Sequence, residues 1–185
     1  FVIDMSGSMV MEGRGIDGYK TVVEEIVKTL RSIQDVGTFN IIAFAGEADK
    51  FRGSGFMLAT EDRIDAAEKW MMRLDPADAF PNRDAGGNTK NYKVFKGYKK
   101  GRNLGTRADL ALEEAFDMDP NMIIFLSDGE PTGKKAGEVL KLVKEFQSDQ
   151  DEPVMINTLS YKSKDGRDFL RKLAANNGGS YSEVK

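Results

Sequence analysis

The chain has 185 residues, 40% hydrophobic and 31% charged, with a formal net charge of −3, a composition that suits one soluble domain with a sizeable core. It contains neither histidine nor cysteine, which excludes Ser-His-Asp and Cys-His catalysis, HExxH zinc chemistry, disulfides and zinc–thiolate sites. The mild acidic balance argues against a general nucleic-acid binder, and the sequence has no run of about eighteen apolar residues to span a membrane.

The chain opens inside an apolar run, Phe1-Val2-Ile3, which breaks at Asp4-Met5-Ser6-Gly7-Ser8. That pattern predicts a buried strand entering a polar loop. It reads as a strand lacking its first residues, as in a piece of a longer chain. From Asp17 to Gln34 the apolar residues Val22, Val23, Ile26, Val27, Leu30 and Ile33 lie on one helical face. Thr38 to Ala45 predicts a second buried strand, and the Gly-broken stretch Lys50 to Leu58 an edge strand. Thr60 then suits a helix N-cap, Ile64, Ala67, Met71 and Leu74 line a helical face, and Pro76 ends it.

Residues 77–104 form a long polar stretch with several basic and aromatic side chains. A helix is predicted from Arg107 to Phe116, with Leu110, Ala111, Ala115 and Phe116 inward. Asn121 to Ser127 is the strongest strand, and it too runs into an acid, Asp128. A helix (Gly137 to Gln147), a strand (Val154 to Tyr161), a short helix (Asp168 to Ala175) and a last strand (Ser180 to Val184) complete the pattern. Strands alternating with helices imply βαβ units, a mostly parallel sheet and helices on both faces. No internal repeat is evident, and residues 1–185 read as a single α/β domain.

Asp4 and Asp128 each follow an apolar strand. Ligands of open parallel sheets bind outside the carboxyl ends of the strands, where strand order reverses, so both acids are expected in one crevice. Side by side they repel, and burial raises their pKa values; a divalent cation relieves both effects. Ser6 and Ser8 follow Asp4 at alternate positions, and Thr106 follows Gly105 at the start of the next helix. Without histidine or cysteine, a metal here has only oxygen ligands, which favours Mg²⁺, Mn²⁺ or Ca²⁺. Taken singly, these residues read as ordinary caps and turns; taken together, they form a hard-oxygen set suited to Mg²⁺.

Asp4-Met5-Ser6-Gly7-Ser8-Met9 resembles the DxSGSM signature of von Willebrand factor type A domains. Gly105-Thr106 before a helix resembles the threonine position of that family, and Ser127-Asp128-Gly129-Glu130-Pro131-Thr132 its aspartate motif. Leu173 to Val184 is similar to the closing helix and strand. The resemblance covers essentially the whole chain, with its landmarks in order. It implies a Rossmann-like, three-layer α/β fold: a central six-stranded, mostly parallel sheet with one antiparallel edge strand and helices on both faces. It also implies a metal-ion-dependent adhesion site. There Ser6, Ser8 and Thr106 coordinate the cation by their hydroxyls, Asp4 and Asp128 act largely through water, and one position stays open for a carboxylate of the partner. Mg²⁺ is the expected cation, with Mn²⁺ or Ca²⁺ as alternatives.

The expected function is therefore a binding module, not an enzyme: metal-dependent capture of a protein ligand that presents an Asp or Glu, by a monomeric domain of a larger chain. A second reading in the same fold is an assembly subunit similar to those of chelatase-like complexes, where a separate ATPase supplies the missing GxxxxGK[ST] motif. A metal-dependent phosphatase is disfavoured because Ser6 stands where the DxDx[TV] pattern needs a second acid. Exported or membrane-tethered bacterial proteins often resemble this sequence, and a cell-surface setting is the expectation over a cytoplasmic one. Candidate partner contacts are Met9, at an apolar rim, and Glu12 in the loop after the signature. Lys93, Lys96, Lys99, Lys100 and Arg102 of the basic stretch are further candidates, through charge steering of an acidic partner.

Overall fold

The computed structural model describes residues 1–10, 17–53, 55–73, 105–161 and 166–184. The elements, in chain order, are β1 (Val2–Asp4), a 3-10 turn (Gly7–Val10), α1 (Asp17–Ser32), β2 (Thr38–Phe39), β3 (Ile42–Phe44), β4 (Ala48–Lys50), β5 (Met57–Leu58), α2 (Glu61–Arg73), α3 (Ala108–Phe116), β6 (Met122–Ser127), α4 (Ala136–Ser148), β7 (Met155–Tyr161), α5 (Arg167–Asn176) and β8 (Tyr181–Val184).

Six strands form one sheet in the order β4-β3-β1-β6-β7-β8. All neighbours are parallel except the edge strand β4, which runs antiparallel to β3. This is the expected six-stranded α/β sheet. Alternate residues of the central strands feed two cores. Ile3, Ala43 and Leu126 face α1 and α2, packing with Tyr19, Val22, Leu30, Ile64 and Met71. Val2, Ile42, Phe44, Phe125 and Ile156 face α3, α4 and α5, packing with Leu112, Val139, Val143 and Leu170. Because both faces of β1 and β6 are covered, these strands read as continuous apolar runs. Strand order reverses between β1 and β6, so their carboxyl ends, Asp4 and Ser127, open the switch-point crevice.

Three elements differ from expectation. The predicted strand Thr38 to Ala45 is cut at Asn40, which is buried. Its Nδ2 donates to the carbonyls of Arg52 and Gly55, and its Oδ1 accepts from the amides of Ile41 and Arg52. A side chain that takes over backbone partners interrupts the ladder. Thr38–Phe39 pairs instead with Met57–Leu58 in a separate two-stranded ribbon, and the true edge strand is Ala48–Lys50, displaced from the predicted Lys50 to Leu58. In α3 the predicted inward Leu110 is only half-buried, while Asp109 is buried. The long stretch 77–104 lies outside the described residues.

Candidate metal centre

Asp4 ends β1 and Asp128 follows β6, the two strands that meet at the switch point. Both carboxylates are buried, as is Ser6. The backbone folds back sharply after Asp4: the Ser6 amide donates to Asp4 Oδ1 at 2.8 Å, and the chain enters the 3-10 turn at Gly7. This brings both serine hydroxyls to the same side, with Ser6 Oγ and Ser8 Oγ 2.9 Å apart. Ser8 Oγ donates in turn to Asp128 Oδ1 at 2.9 Å. Ser8, on the loop that follows Asp4, thus links that loop to Asp128.

A further contact comes from a residue given no role above. Ser127 Oγ, the last side chain of β6, donates to Asp4 Oδ2 at 2.6 Å and lies 3.3 Å from both the amide and the carbonyl oxygen of Gly129. Burial pushes the Asp4 carboxyl up, and the neighbouring Asp128 charge pushes it the same way. The hydrogen bonds from Ser127 and Ser6 offset only part of this, and the pKa stands at about 7, against an ordinary 3.8. Two buried acids in one crevice are thus relieved by either a proton or a positive counter-charge.

Thr106 is also buried at this end of the sheet. The next residue, Arg107, donates its amide to the carbonyl of Ala45, just after β3. Thr106 itself exchanges two hydrogen bonds with Thr132, four residues after Asp128: its amide donates to Thr132 Oγ1 at 2.8 Å, and the Thr132 amide donates to its carbonyl at 3.1 Å. Thr106 does not cap the following helix. Helix α3 starts at Ala108 with Arg107 in the capping position and no side-chain cap, which leaves the Thr106 hydroxyl without a capping task. The Arg107 guanidinium forms a forked ion pair with Asp109, with both N–O distances 2.8 Å.

Met9 requires a correction. It is fully buried in the core with Met5 and Tyr19, so it forms part of the site's apolar floor and not a rim that a partner could touch. The 3-10 turn rotates it inward while Ser8 stays half-exposed. Glu12, Lys93, Lys96, Lys99, Lys100 and Arg102 lie outside the described residues.

The donors that converge here are carboxylates and hydroxyls. Among the described residues, no three acidic, His or Cys side chains form a metal cluster, so a cation held by these residues alone would take neutral hydroxyls alongside the two acids. Such a set fits a small hard cation that keeps part of its water shell. Asp4, Ser6, Ser8 and Asp128 are in place as candidate ligands, and Thr106 stands on the flanking loop.

No family model matches the chain. It is 29% identical over 183 residues to inter-alpha-trypsin inhibitor heavy chain 4 of Mus musculus, covering 97% of this chain but 17% of that protein. The fold matches a von Willebrand factor type A structure from Catenulispora acidiphila, with a TM-score of 0.71 and 18% identity over all of this chain and 37% of that one. An aerotolerance-related membrane protein from Bacteroides fragilis superposes with a TM-score of 0.65 and 17% identity, over all of this chain and 89% of that one. Among the described residues, no helix is long and apolar enough to cross a membrane.

Proposed function

We propose, for a chain with the von Willebrand factor type A fold, that it is a divalent-cation-dependent protein-binding domain whose metal grips an acidic residue of the partner. The observation that carries this reading is the pair of buried acids, Asp4 and Asp128, facing one crevice at the strand-order reversal, with the Ser6 hydroxyl beside that of Ser8, which links their loops. Mg²⁺ or Mn²⁺ would be held by Ser6, Ser8 and Thr106, with Asp4 and Asp128 near it. It would supply a strong Lewis-acidic point charge. The protein's part is to hold the donors, exclude bulk water beneath them with Met5 and Met9, and leave the outward side of the crevice to the partner. With mostly neutral direct ligands, the cation's charge is poorly quenched, and an incoming carboxylate makes a charge-assisted contact strengthened by partial exclusion of water.

This reading predicts binding without turnover, by a domain that sits within a larger chain, as it would in the mouse protein it resembles. The test is calorimetric titration of EDTA-treated protein with Mg²⁺ and Mn²⁺, beside Asp4→Ala. One-site binding lost in the variant supports the reading. Equal heats from both proteins would place any cation elsewhere and sink it. A pull-down for acidic protein ligands with and without EDTA then tests the partner half of the proposal.

A further inference from the structure

We propose that Thr132 is a positioning residue for the Thr106 hydroxyl, and that the segments 105–107 and 128–133 behave as one clamped unit across the mouth of the crevice. This rests on the cation reading above. The two segments are 26 residues apart in sequence, yet they are joined by a reciprocal pair of hydrogen bonds, Thr106 N to Thr132 Oγ1 and Thr132 N to Thr106 O. Both flanks are built so that they can approach. A Cβ on Gly105 would lie 2.5 Å from Thr132 Oγ1, and a Cβ on Gly133 would lie 1.9 Å from Arg107 Cδ. Glycine at both places lets each segment lie against the other's side chain.

The clamp has a fixed base. The Arg107 amide bonds Ala45 O at the end of β3, and the Arg107 guanidinium is held by buried Asp109 at the start of α3. Thr106 is thereby held between the tops of β3 and β6, on either side of β1, which carries Asp4. Thr132 itself is exposed, so neither packing nor burial accounts for its two bonds to Thr106. Its side-chain oxygen completes the one amide of Thr106 that helix α3, starting two residues later, does not use. An exposed threonine with this task orients Thr106 while leaving the Thr106 hydroxyl unengaged by the clamp.

The test measures Mn²⁺ affinity from the free-ion electron paramagnetic resonance signal for wild type, Thr106→Ala, Thr132→Val and Thr132→Ser. Thermal melting of each protein in EDTA is measured in parallel. Thr132→Val keeps the shape but removes the acceptor, whereas Thr132→Ser keeps it. The expected result is a loss of affinity of about five- to twentyfold in Thr132→Val, the size of one hydrogen bond's misplacement. Thr132→Ser should stay within about twofold of wild type, and in EDTA Thr132→Val should melt no more than about ten degrees below Thr132→Ser. If Thr106→Ala weakens Mn²⁺ but Thr132→Val does not, the positioning role is overturned and the cation reading stands. If Thr132→Val only lowers the EDTA melting temperature, its role is structural and the inference fails. If wild type takes up no Mn²⁺, or Thr106→Ala binds it as wild type does, the Thr106 ligand assignment and this inference fall together.

Discussion

The Ser127 hydroxyl donates to Asp4 Oδ2 at 2.6 Å, from the end of one parallel strand to the end of its neighbour. Its Oγ also lies 3.3 Å from the amide and carbonyl oxygen of Gly129, so one small side chain links the carboxylate of the first acid to the loop that carries the second. A hydrogen bond to a charged group is worth about 1.5–3 kcal/mol. Ser127 is therefore among the few groups that favour the ionised form of Asp4 against burial and the Asp128 charge.

Ser127→Ala should accordingly raise the Asp4 pKa further, by about one to two units. Carboxyl carbon chemical shifts across a pH titration of metal-free protein would show it. Proton competition should then weaken Mg²⁺ binding about tenfold at pH 7, with most of the loss recovered near pH 9. An unchanged Asp4 titration would mean that the Ser127 contact does not favour the ionised acid.

Asp4 also sets a pH dependence for the metal-free protein. Its folded pKa of about 7 exceeds the ordinary 3.8, so the folded state binds the proton more tightly than the unfolded chain does. Below about pH 4 both states are protonated and Asp4 costs nothing. The penalty builds as pH rises from about 4 to about 7, reaching on the order of 2–4 kcal/mol, and stays level above that. Urea unfolding in EDTA should therefore find Asp4→Asn more stable than wild type at pH 8, with the gap narrowing toward pH 4. Saturating Mg²⁺ should reverse the order, because only wild type gains. Stability that holds level from pH 5 to pH 8, with no gap between the two proteins, would contradict this electrostatic picture.

The sheet and the meeting of Asp4 with Asp128 were legible because β1 and β6 are covered on both faces and so appear as uninterrupted apolar runs ending in acids. Ser127 was not, because it sits inside the second run. Its direction depends on the register of β6 against β1, which pairs Val2 with Phe125 and Ile3 with Leu126, and no local pattern encodes that. Asn40 looked like one polar residue in a strand, but its five side-chain hydrogen bonds reach from its neighbour Ile41 to Arg52, Gly55 and the distant Met118. Met9 was misplaced because a single 3-10 turn, unlike a helix, leaves no periodicity by which to assign its inward face. Thr132 and Asp109 contact Thr106 and Arg107, and an exposed threonine and a lone helix acid look ordinary in sequence.

The Arg107–Asp109 pair carries a third prediction. Burial pushes the Asp109 carboxyl up, but the Arg107 hydrogen bonds and charge overcome it and leave it below its usual value. A depressed folded pKa adds stability above the unfolded pKa, and that stability is lost as pH falls through the folded one. Arg107→Ala leaves Asp109, 4% exposed, without its cation. Since Arg107 is itself one-third exposed, the expected loss at pH 7 is about 1–3 kcal/mol, short of the full cost of breaking a buried pair. Denaturant titrations should show the difference shrinking as pH falls below the ordinary carboxylate range and Asp109 becomes protonated. A constant difference across that range would assign the effect to lost packing on Gly133, not to charge.

Gly166 offers the sharpest test of how closely the elements pack around Asp128. It precedes α5 with a φ of 77°, and a Cβ there would lie 2.4 Å from the carbonyl carbon of Gly129 and 2.7 Å from the amide of Glu130. The obstruction is backbone, which cannot swing aside as a side chain can. Gly166→Ala therefore incurs both the left-handed backbone cost, roughly 1–2 kcal/mol, and overpacking of roughly 1–3 kcal/mol. Most of the strain is directed into the Asp128 loop. Thermal unfolding should show a large drop in melting temperature. Gly178→Ala serves as the control: it has a similar φ of 68° but nothing within 4 Å of a Cβ, and it should lose only the backbone part. If the two variants melt together, the Gly129–Gly166 approach is looser than it stands here. If Gly166→Ala melts far lower and also shifts the amide resonances of Gly129 and Glu130, the start of α5 is a fixed support of the loop that holds Asp128.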